Sequence, residues 1–349
     1  RQGNEFDSNY IYQRPVRFQL NADGSLQRVG IDLQSDFDFT LIQTDSTGTP
    51  SGGTVVPASV TSSLSETING GFGLGLAYGK LAVGFNLITL PPNASTTSGL
   101  NLGYQGHEWG ISMKYYAVSQ HTANILTVDT MDSSPWYSQS ESLSANPCRI
   151  NRLAVDAYWS VRRNRFAYTA AYKCDMVQRH SAGSLMICSG LLLSAMQLQQ
   201  GDAILMLSDF KGYRSLQTFA GAGYSHNIVF VHRDATGPRD KGLFNITLNL
   251  TVLPMLTFSN NIYAETWTGG DYVRIVGTPT PNATFSGALG FSVGSLFFGF
   301  QYRHNFFYFH TADAMSADGL GIEGRGVDNV NVSGTFQDWR VSSIVVYNF

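Results

Sequence analysis

The sequence predicts an all-β fold: a transmembrane antiparallel up-and-down β-barrel of about twelve strands with long extracellular loops. Three observations support this prediction. Charged residues are few although no long apolar run exists, apolar and polar residues alternate along many segments, and the last strand ends in an aromatic residue. Closed barrels and helices are the structures that satisfy every backbone hydrogen bond in lipid, so the expected location is the cell outer membrane.

The composition fits a membrane protein that crosses with strands. Only 13% of the 349 residues are charged, about half the usual share of a soluble domain, and the mean hydropathy is -0.07. The most apolar stretch, residues 185–196, is shorter than the roughly 20 residues of a spanning helix. A large soluble β-sandwich is the alternative. A chain that opens at Arg1 without Met is expected of a processed, exported protein.

A period of two residues, the spacing of side chains on one face of a strand, recurs along the chain. It is clearest in residues 71–87, where large apolar residues alternate with small ones on both sides of a Gly79-Lys80 turn. Glycine weakens a strand interior, so its use on one face predicts close packing or a crowded lumen there. The same alternation occurs in residues 29–41, 111–116, 153–160, 244–251, 285–292, 296–303 and 339–349.

The last strand ends the chain on an aromatic residue. Apolar positions alternate from Trp339 to Phe349 and include Tyr347. This pattern resembles the signal that outer-membrane assembly machinery recognises, although a buried final strand that merely stops in Phe is the simpler alternative. We expect Tyr347 and Phe349 to form an assembly signal. The expected partners are outer-membrane lipid and, during insertion, the barrel-assembly machinery.

The lengths of the connections predict the topology, because barrels of this class have short periplasmic turns and longer outer loops. Tight turns are predicted at 79–80, 105–106 and 294, and long polar loops near 43–67, 119–149, 197–214, 257–282 and 310–335. When short turns and long loops are assigned alternately along the chain from each end, the two assignments disagree by one membrane crossing. The disagreement falls within 163–182. Excluding this segment, as an insert in the lumen or the periplasm, leaves about twelve strands in a single domain, 1–349. Residues 1–25 are a candidate for a second segment outside the wall. Counting 163–182 and 15–22 as strands gives about fourteen.

Charged residues on the predicted lumen faces are the most informative group for function. The predicted network consists of Asp32, Asp36, Asp38, Lys114, Asp156, Arg165, Arg179 and Arg303. The three aspartates of residues 29–41 share one strand face, and the segment 163–182 is basic. An unpaired buried charge is costly, so we predict that Arg179 or Arg165 neutralises at least one of these aspartates and locks the lumen. A narrow polar channel with charged selectivity is the alternative.

The sequence predicts no catalytic, metal or cofactor site. A nucleophile needs a base within hydrogen-bond reach, but the Ser and His pairs at 180–181 and 225–226 are adjacent and would point to opposite faces of a strand. The three cysteines, Cys148, Cys174 and Cys188, lack metal-ligand spacing. At most one disulfide can form, and Cys174 and Cys188 are the nearer pair. The net charge of -3 without a basic run argues against nucleic acid as a partner.

Several blocks of the sequence carry a family resemblance. The opening DSNYIYQRPVRFQL, the central RNRFAYTAAYKCDMVQRHSAGS, GAGYSHNIVF followed by LFNITLNLTVLPML, and the closing VYNF occur in this order. Together they resemble a domain-of-unknown-function family of outer-membrane β-barrel proteins from Bacteroidota. This chain departs from the family pattern at Thr169, where members usually carry Pro, and in a longer connection at 232–241. The resemblance implies an outer-membrane barrel and no established activity.

The expected function is therefore non-enzymatic. A largely plugged barrel with long polar outer loops is expected to be a structural or accessory subunit of an outer-membrane protein assembly, with other outer-membrane proteins as partners. A small, porin-like passive polar channel is the second expectation. An outer-membrane lipid-modifying enzyme is the third.

Overall fold

The computed structural model describes residues 6–44, 50–66, 69–90, 97–106, 108–130, 139–198, 210–266, 272–277, 279–310 and 327–349. Its description of side chains leaves out some strand portions, among them residues 29–69. No helix in these ranges is long and apolar enough to cross a membrane.

The alternating segments fold into sixteen β-strands within the described ranges. In chain order they are β1 (Ile11–Gln13), β2 (Phe18–Thr44), β3 (Pro50–Glu66), β4 (Asn69–Tyr78), β5 (Leu81–Leu90), β6 (Thr97–Gln105), β7 (Trp109–Thr130), β8 (Gln139–Ser160), β9 (Met176–Gln178), β10 (Ala182–Leu198), β11 (Phe210–Arg233), β12 (Phe244–Thr266), β13 (Tyr272–Gly277), β14 (Thr280–Val293), β15 (Leu296–His310) and β16 (Val327–Asn348). Two short 3-10 helices, Tyr168–Ala171 and Pro238–Asp240, lie in the connections that follow β8 and β11.

Twelve of these strands close into an antiparallel ring, which confirms the predicted count. Around the ring the order is β2, β4, β5, β6, β7, β8, β10, β11, β12, β14, β15 and β16, and β16 pairs with β2 to close it. β3 pairs with the outer parts of β2 and β7, beyond the shorter strands β4, β5 and β6, and β13 pairs with the outer part of β12. Residues 163–181 add no strand to the ring, so the count of fourteen is wrong.

Much of the sequence predicted as outer loops continues as strand. β3 lies within the predicted loop 43–67, and β7 and β8 extend to Thr130 and from Gln139, within the predicted loop 119–149. Polar composition suggested loops there, but antiparallel strands can pair where both faces meet water. The prediction that 1–25 lie outside the wall is wrong beyond residue 17. β2 begins at Phe18, and residues 18–22 are the first part of this 27-residue strand.

The wall is apolar outside and polar inside. On β12 the lumen-facing Thr247 and Asn249 are fully buried, whereas the outward Leu250 is 50% exposed. On β5 the outward Phe85 is 63% exposed. A soluble sandwich buries its apolar face, while a membrane barrel turns it outward to lipid. The faces predicted from alternation for these strands are therefore confirmed, and the soluble alternative is wrong.

Tight turns and aromatic side chains mark one end of the barrel, where the last strand, β16, also ends. The predicted turns at Gly79 and Gly294 adopt φ angles of 59° and 55°, a left-handed conformation that favours glycine. The outward side chains near this end include the aromatic residues Phe18, Tyr78, Tyr104, Trp109, Trp159, Phe230, Tyr347 and Phe349. Aromatic girdles occupy membrane interfaces and short turns face the periplasm, so this is the periplasmic end.

Residues 6–17 and 161–181 fold together against the inside of the wall at the periplasmic end, and we call them the plug. β1 and β9 form a separate two-stranded antiparallel sheet within it. Its own small core contains Ile11, Ala167, Ala170 and Met176. The segment that the alternation of short turns and long loops excluded from the wall is thus an ordered insert with its own secondary structure.

Candidate functional site in the barrel lumen

Gln178 holds the plug together. Its side chain is fully buried. Its Nε2 donates to the carbonyl oxygens of Arg165 and His180 at 2.8 and 2.9 Å and lies 3.2 Å from the carbonyl oxygen of Tyr10. Its Oε1 accepts the backbone N–H of Ala167 at 2.9 Å. One side chain therefore joins the N-terminal part of the plug to the segment 161–181.

Asparagine side chains on the lumen face of β11 and β12 attach the plug to the wall. Asn227 Nδ2 donates to the carbonyl of Ala167 at 2.7 Å and to Gln178 Oε1 at 3.2 Å. Asn245 Nδ2 donates to the carbonyl of Gln178 at 2.8 Å. These amide groups are buried, and buried polar groups are costly when left unpaired.

The plug extends some way into the lumen. Tyr172 OH donates to Asn249 Oδ1 at 2.9 Å, and Asn249 is five residues beyond the first residue of β12, roughly 17 Å along the strand. On β14, a Cβ added to Gly290 would lie 3.1 Å from the Cα of Ala171. A larger residue would displace the plug there. The close packing predicted for the glycine face of residues 71–87 is present, because a Cβ added to Gly73 or Gly75 would meet side chains of the lumen. Gly290 shows the same close approach on β14, and there the plug is one of the packing partners.

The N-terminal part of the plug is fixed to two periplasmic turns. Arg14 Nη1 donates to the carbonyl of Gly294 at 2.7 Å and lies 3.6 Å from Asp240 Oδ2. Tyr12 OH donates to Asp240 Oδ1 at 2.8 Å. Burial, and then the hydrogen bond to Asp240, raise the pKa of Tyr12, so the phenol stays protonated and can donate. The plug is thereby bonded to the connection between β11 and β12 and to the connection between β14 and β15.

Above the plug, ion pairs cross the lumen from wall to wall. Arg152 on β8 lies 3.1 Å from Asp338 on β16, and five strands separate β8 from β16 in either direction around the ring. Arg303 on β15 lies 3.3 Å from Asp156 on β8. Because these partners come from nearly opposite sides of the barrel, their side chains obstruct the lumen at mid-height.

A cavity of about 100 Å³ lies beside these ion pairs. Its charged lining residues are Lys114, Arg152, Asp156, Arg303, Asp338 and Arg340. Asn305 connects part of this set, since its Oδ1 accepts from Arg303 Nε at 3.1 Å and its Nδ2 lies 3.4 Å from Asp338 Oδ2. Lys114, Asp156 and Arg303 of the sequence-predicted network are therefore neighbours in the folded barrel.

The two plug arginines of the predicted charge network bind carboxylates at the periplasmic surface. Arg165 Nε lies 3.3 Å from Asp7 Oδ2, and Arg179 Nη2 lies 2.7 Å from Asp234 Oδ1. The plug enters from the periplasmic end, so Arg165 and Arg179 remain at that surface. A hydrogen bond from His232 and the nearby Arg179 lower the pKa of Asp234. The aspartates predicted as partners, Asp32, Asp36 and Asp38, have side chains outside the described residues.

Four members of the mid-lumen network were absent from the sequence prediction. They are Asp23, Arg152, Asp338 and Arg340. The alternation of side chains could have identified two of them. Arg152 lies on the same strand face as Asp156, and Arg340 lies on the polar face of the last strand. Asp23 and Asp338 carry no such signal, because each lies in a polar run at the edge of a predicted segment.

The possible nucleophiles are separated from their bases. Ser225 is buried on the lumen face and bonds Thr251, whereas His226 lies on the other face beside Tyr224. Cys174 in the plug and Cys188 on β10, the pair nearer in sequence, are free thiols and form no disulfide. Burial raises the pKa of the Cys174 thiol to about 11. In the described part of the chain, His, Cys, Asp and Glu form no cluster of three that could hold a metal ion.

Comparisons with known proteins agree with the resemblance seen in the sequence. The profile of a domain of unknown function, DUF4421, matches residues 59–320. No curated protein matches the sequence. Among solved structures, the outer membrane protease OmpT from Escherichia coli is similar at 10% identity and a TM-score of 0.39, covering 95% of this chain and 97% of OmpT. A Pseudomonas aeruginosa FadL homologue is similar at 10% identity and a TM-score of 0.22, covering 95% of this chain and 90% of the homologue.

Proposed function

This chain belongs to the DUF4421 family, and we propose that it is a closed, non-enzymatic barrel, a structural or accessory subunit of an outer-membrane protein assembly. The barrel itself is an outer-membrane β-barrel. The observation that carries the proposal is the direct bonding of the plug to the inner wall. If the barrel does not conduct, its outer loops and its periplasmic face are the surfaces through which it can bind other proteins.

The energy of these bonds supports a closed lumen. Withdrawing the plug would leave Asn227, Asn245 and Asn249 without their bonds to it. Because water replaces these partners in an opened lumen, each bond contributes its net worth of about 0.5–1.5 kcal/mol. The three bonds together favour the closed state by about 1.5–4.5 kcal/mol, which keeps the open fraction below roughly 10% unless a partner or ligand favours opening.

Conductance tests the closed state. The purified chain in a planar bilayer should show no steady ion current. Replacing both Asn227 and Asn245 with Ala should release the plug and produce openings. Asn101→Ala, a lumen-facing change on β6, is the matched control and should stay closed. A steady current through the unmodified chain would contradict the proposal and favour a passive channel.

Co-purification tests the accessory role. The tagged chain should be extracted from its native membrane in mild detergent and compared with a second barrel of similar abundance. The proposal expects other outer-membrane proteins in fixed proportion to the tagged chain. A chain that elutes alone both with and without a cross-linker would contradict it.

A passive polar channel is the second candidate. The observation in its favour is the charge-lined cavity at mid-height, since pores select ions by rings of charge. This function requires both the plug and the ion pairs across the lumen to move. A lipid-modifying enzyme is the third candidate, and the opposite orientation of Ser225 and His226 counts against it.

A further inference from the structure

The lumen at mid-height carries more positive than negative side chains. Among the described residues that face it, the cations are Lys114, Arg152, Arg303 and Arg340, and the carboxylates are Asp23, Asp156 and Asp338. Three ion pairs use all three carboxylates with one arginine each. Four cations against three carboxylates leave one positive charge, and it belongs to Lys114. No carboxylate of the described residues lies within 4.0 Å of its ammonium group.

Lys114 faces the cavity together with two of the arginines. On β7 its neighbours across the strands are Asn101 and Ala154, neither of which carries charge. Arg303 and Arg340 are paired directly opposite each other on β15 and β16. Like charges at directly opposite positions destabilise a sheet. All three cations line the same cavity.

Unused hydrogen-bond donors also lie at this cavity. The Nε of Arg340 is buried and has no acceptor among the described residues, although its Nη2 lies 3.4 Å from Asp23 Oδ2. The ammonium of Lys114 offers three donors. A group with oxygen acceptors and one or more negative charges would satisfy both. Asn86 and Asn101 on the same lining carry amide groups for further bonds.

We propose that this cavity binds a small oxyanion, held by Lys114 with Arg303 and Arg340. The volume of about 100 Å³ is several times the 10–15 Å³ that one water needs, and it suits an anion of the size of a carboxylate or inorganic phosphate. A charge removed from water is costly unless it is paired, and the anion supplies the pair that Lys114 lacks. Because the plug lies on the periplasmic side, exchange takes place with the outer side of the lumen.

Isothermal titration calorimetry of the purified full-length barrel in a non-ionic detergent tests this site. Sodium acetate and sodium phosphate are titrated separately at constant ionic strength, which is set with sodium chloride because chloride carries no oxygen acceptors. At least one of the two should bind saturably with one site per chain. Lys114→Met and Lys114→Gln should each weaken this affinity at least tenfold, whereas Lys114→Arg should retain most of it. Lys241→Met, in an exposed periplasmic turn, is the matched control and should bind like the unmodified chain.

The outcomes separate the possibilities. Saturation by acetate alone assigns a carboxylate, and saturation by phosphate alone assigns a phosphate. Absence of saturable binding for both anions overturns the proposal, and so does unchanged binding in both neutral variants. Heat-modifiability gels show whether each variant is folded, and two neutral variants with a charge-preserving one keep the test decisive if one fails to assemble. Conductance and co-purification are not involved, so this result is independent of the proposed function.

Discussion

Replacing Gln178 with Ala should loosen the plug more than any other single change in it. The backbone N–H of Ala167 would lose its acceptor, and the carbonyls of Arg165 and His180 would lose their donor. The carbonyl of Tyr10 keeps a second partner, because the Arg179 N–H donates to it at 2.7 Å. Three buried groups left unpaired at about 1 kcal/mol or more each give a loss of at least about 3 kcal/mol.

The matched control is Gln301→Ala. Gln301 also faces the lumen and bonds the plug, but through a single 3.3 Å contact from its Nε2 to the carbonyl of Tyr172. Its removal should cost about 1 kcal/mol or less, the net worth of one hydrogen bond. The two variants differ by about 2 kcal/mol if Gln178 has the central role that its contacts indicate.

Hydrogen exchange measured by mass spectrometry on peptides covering 166–178 tests this prediction. A loss of about 3 kcal/mol corresponds to a roughly hundredfold faster exchange of the protected plug amides, while the wall peptides should keep their protection. Gln301→Ala should accelerate exchange less than tenfold. Equal exchange in the two variants, or no change from the unmodified chain, would refute the reasoning.

Three further changes test other parts of the structure. Phe85→Arg should impair assembly by roughly 2–4 kcal/mol near the membrane midplane, whereas the inward change Asn86→Ser should be mild; equal tolerance of both in heat-modifiability gels would contradict the assigned faces. Deleting Phe349 should lower the amount of inserted protein without changing the unfolding midpoint of what inserts, and normal surface levels would count against an assembly signal. The third change concerns pH. The lowered pKa of Asp234 means that its carboxylate stabilises the fold above the ordinary pKa of 3.8 and that this contribution is lost as the pH falls through the lowered folded value. Asp234→Asn should therefore flatten the loss of plug protection between about pH 5 and pH 2, and an unchanged acid profile would argue that His232 and Asp234 do not act together.

The strand count and the faces could be predicted because both follow from periodicity and loop length. Alternation places Phe85 outside whatever the neighbouring strands are, since successive side chains of a strand point to opposite faces. The exclusion of 163–182 needed only the requirement that short turns and long loops alternate. The outer strands were missed for a related reason: beyond the membrane both faces of a strand are polar, and the period of two disappears from the sequence.

The partners of charged groups could not be predicted in the same way. The alternation of side chains predicts that Asp156 and Arg303 both face the lumen. Whether two such side chains from opposite sides of the ring can form an ion pair depends on the diameter and stagger of the barrel, which no local sequence pattern determines. Arg165 and Arg179 of the plug show why charge alone does not predict a partner. Their charge suggested partners on a lumen strand, whereas the plug entered from the periplasmic end and placed Arg165 and Arg179 beside turn and terminal carboxylates.

The neutral polar residues on the inward face of β12 indicate better than the charged residues do whether the lumen is filled by protein or by water. Its inward residues are amides and hydroxyls that bond one another: Asn249 Nδ2 donates to Asn227 Oδ1 at 2.7 Å, and Thr251 Oγ1 donates to Asn249 Oδ1 at 2.8 Å. A water-filled pore needs no such pairing, because water satisfies each polar group. Neutral side chains that pair among themselves and with a plug are suited to a dry, filled lumen, since neutral groups cost less to desolvate than charges. The alternation of Asn and Thr with apolar residues in residues 244–251 therefore indicates a wall built to be covered by protein.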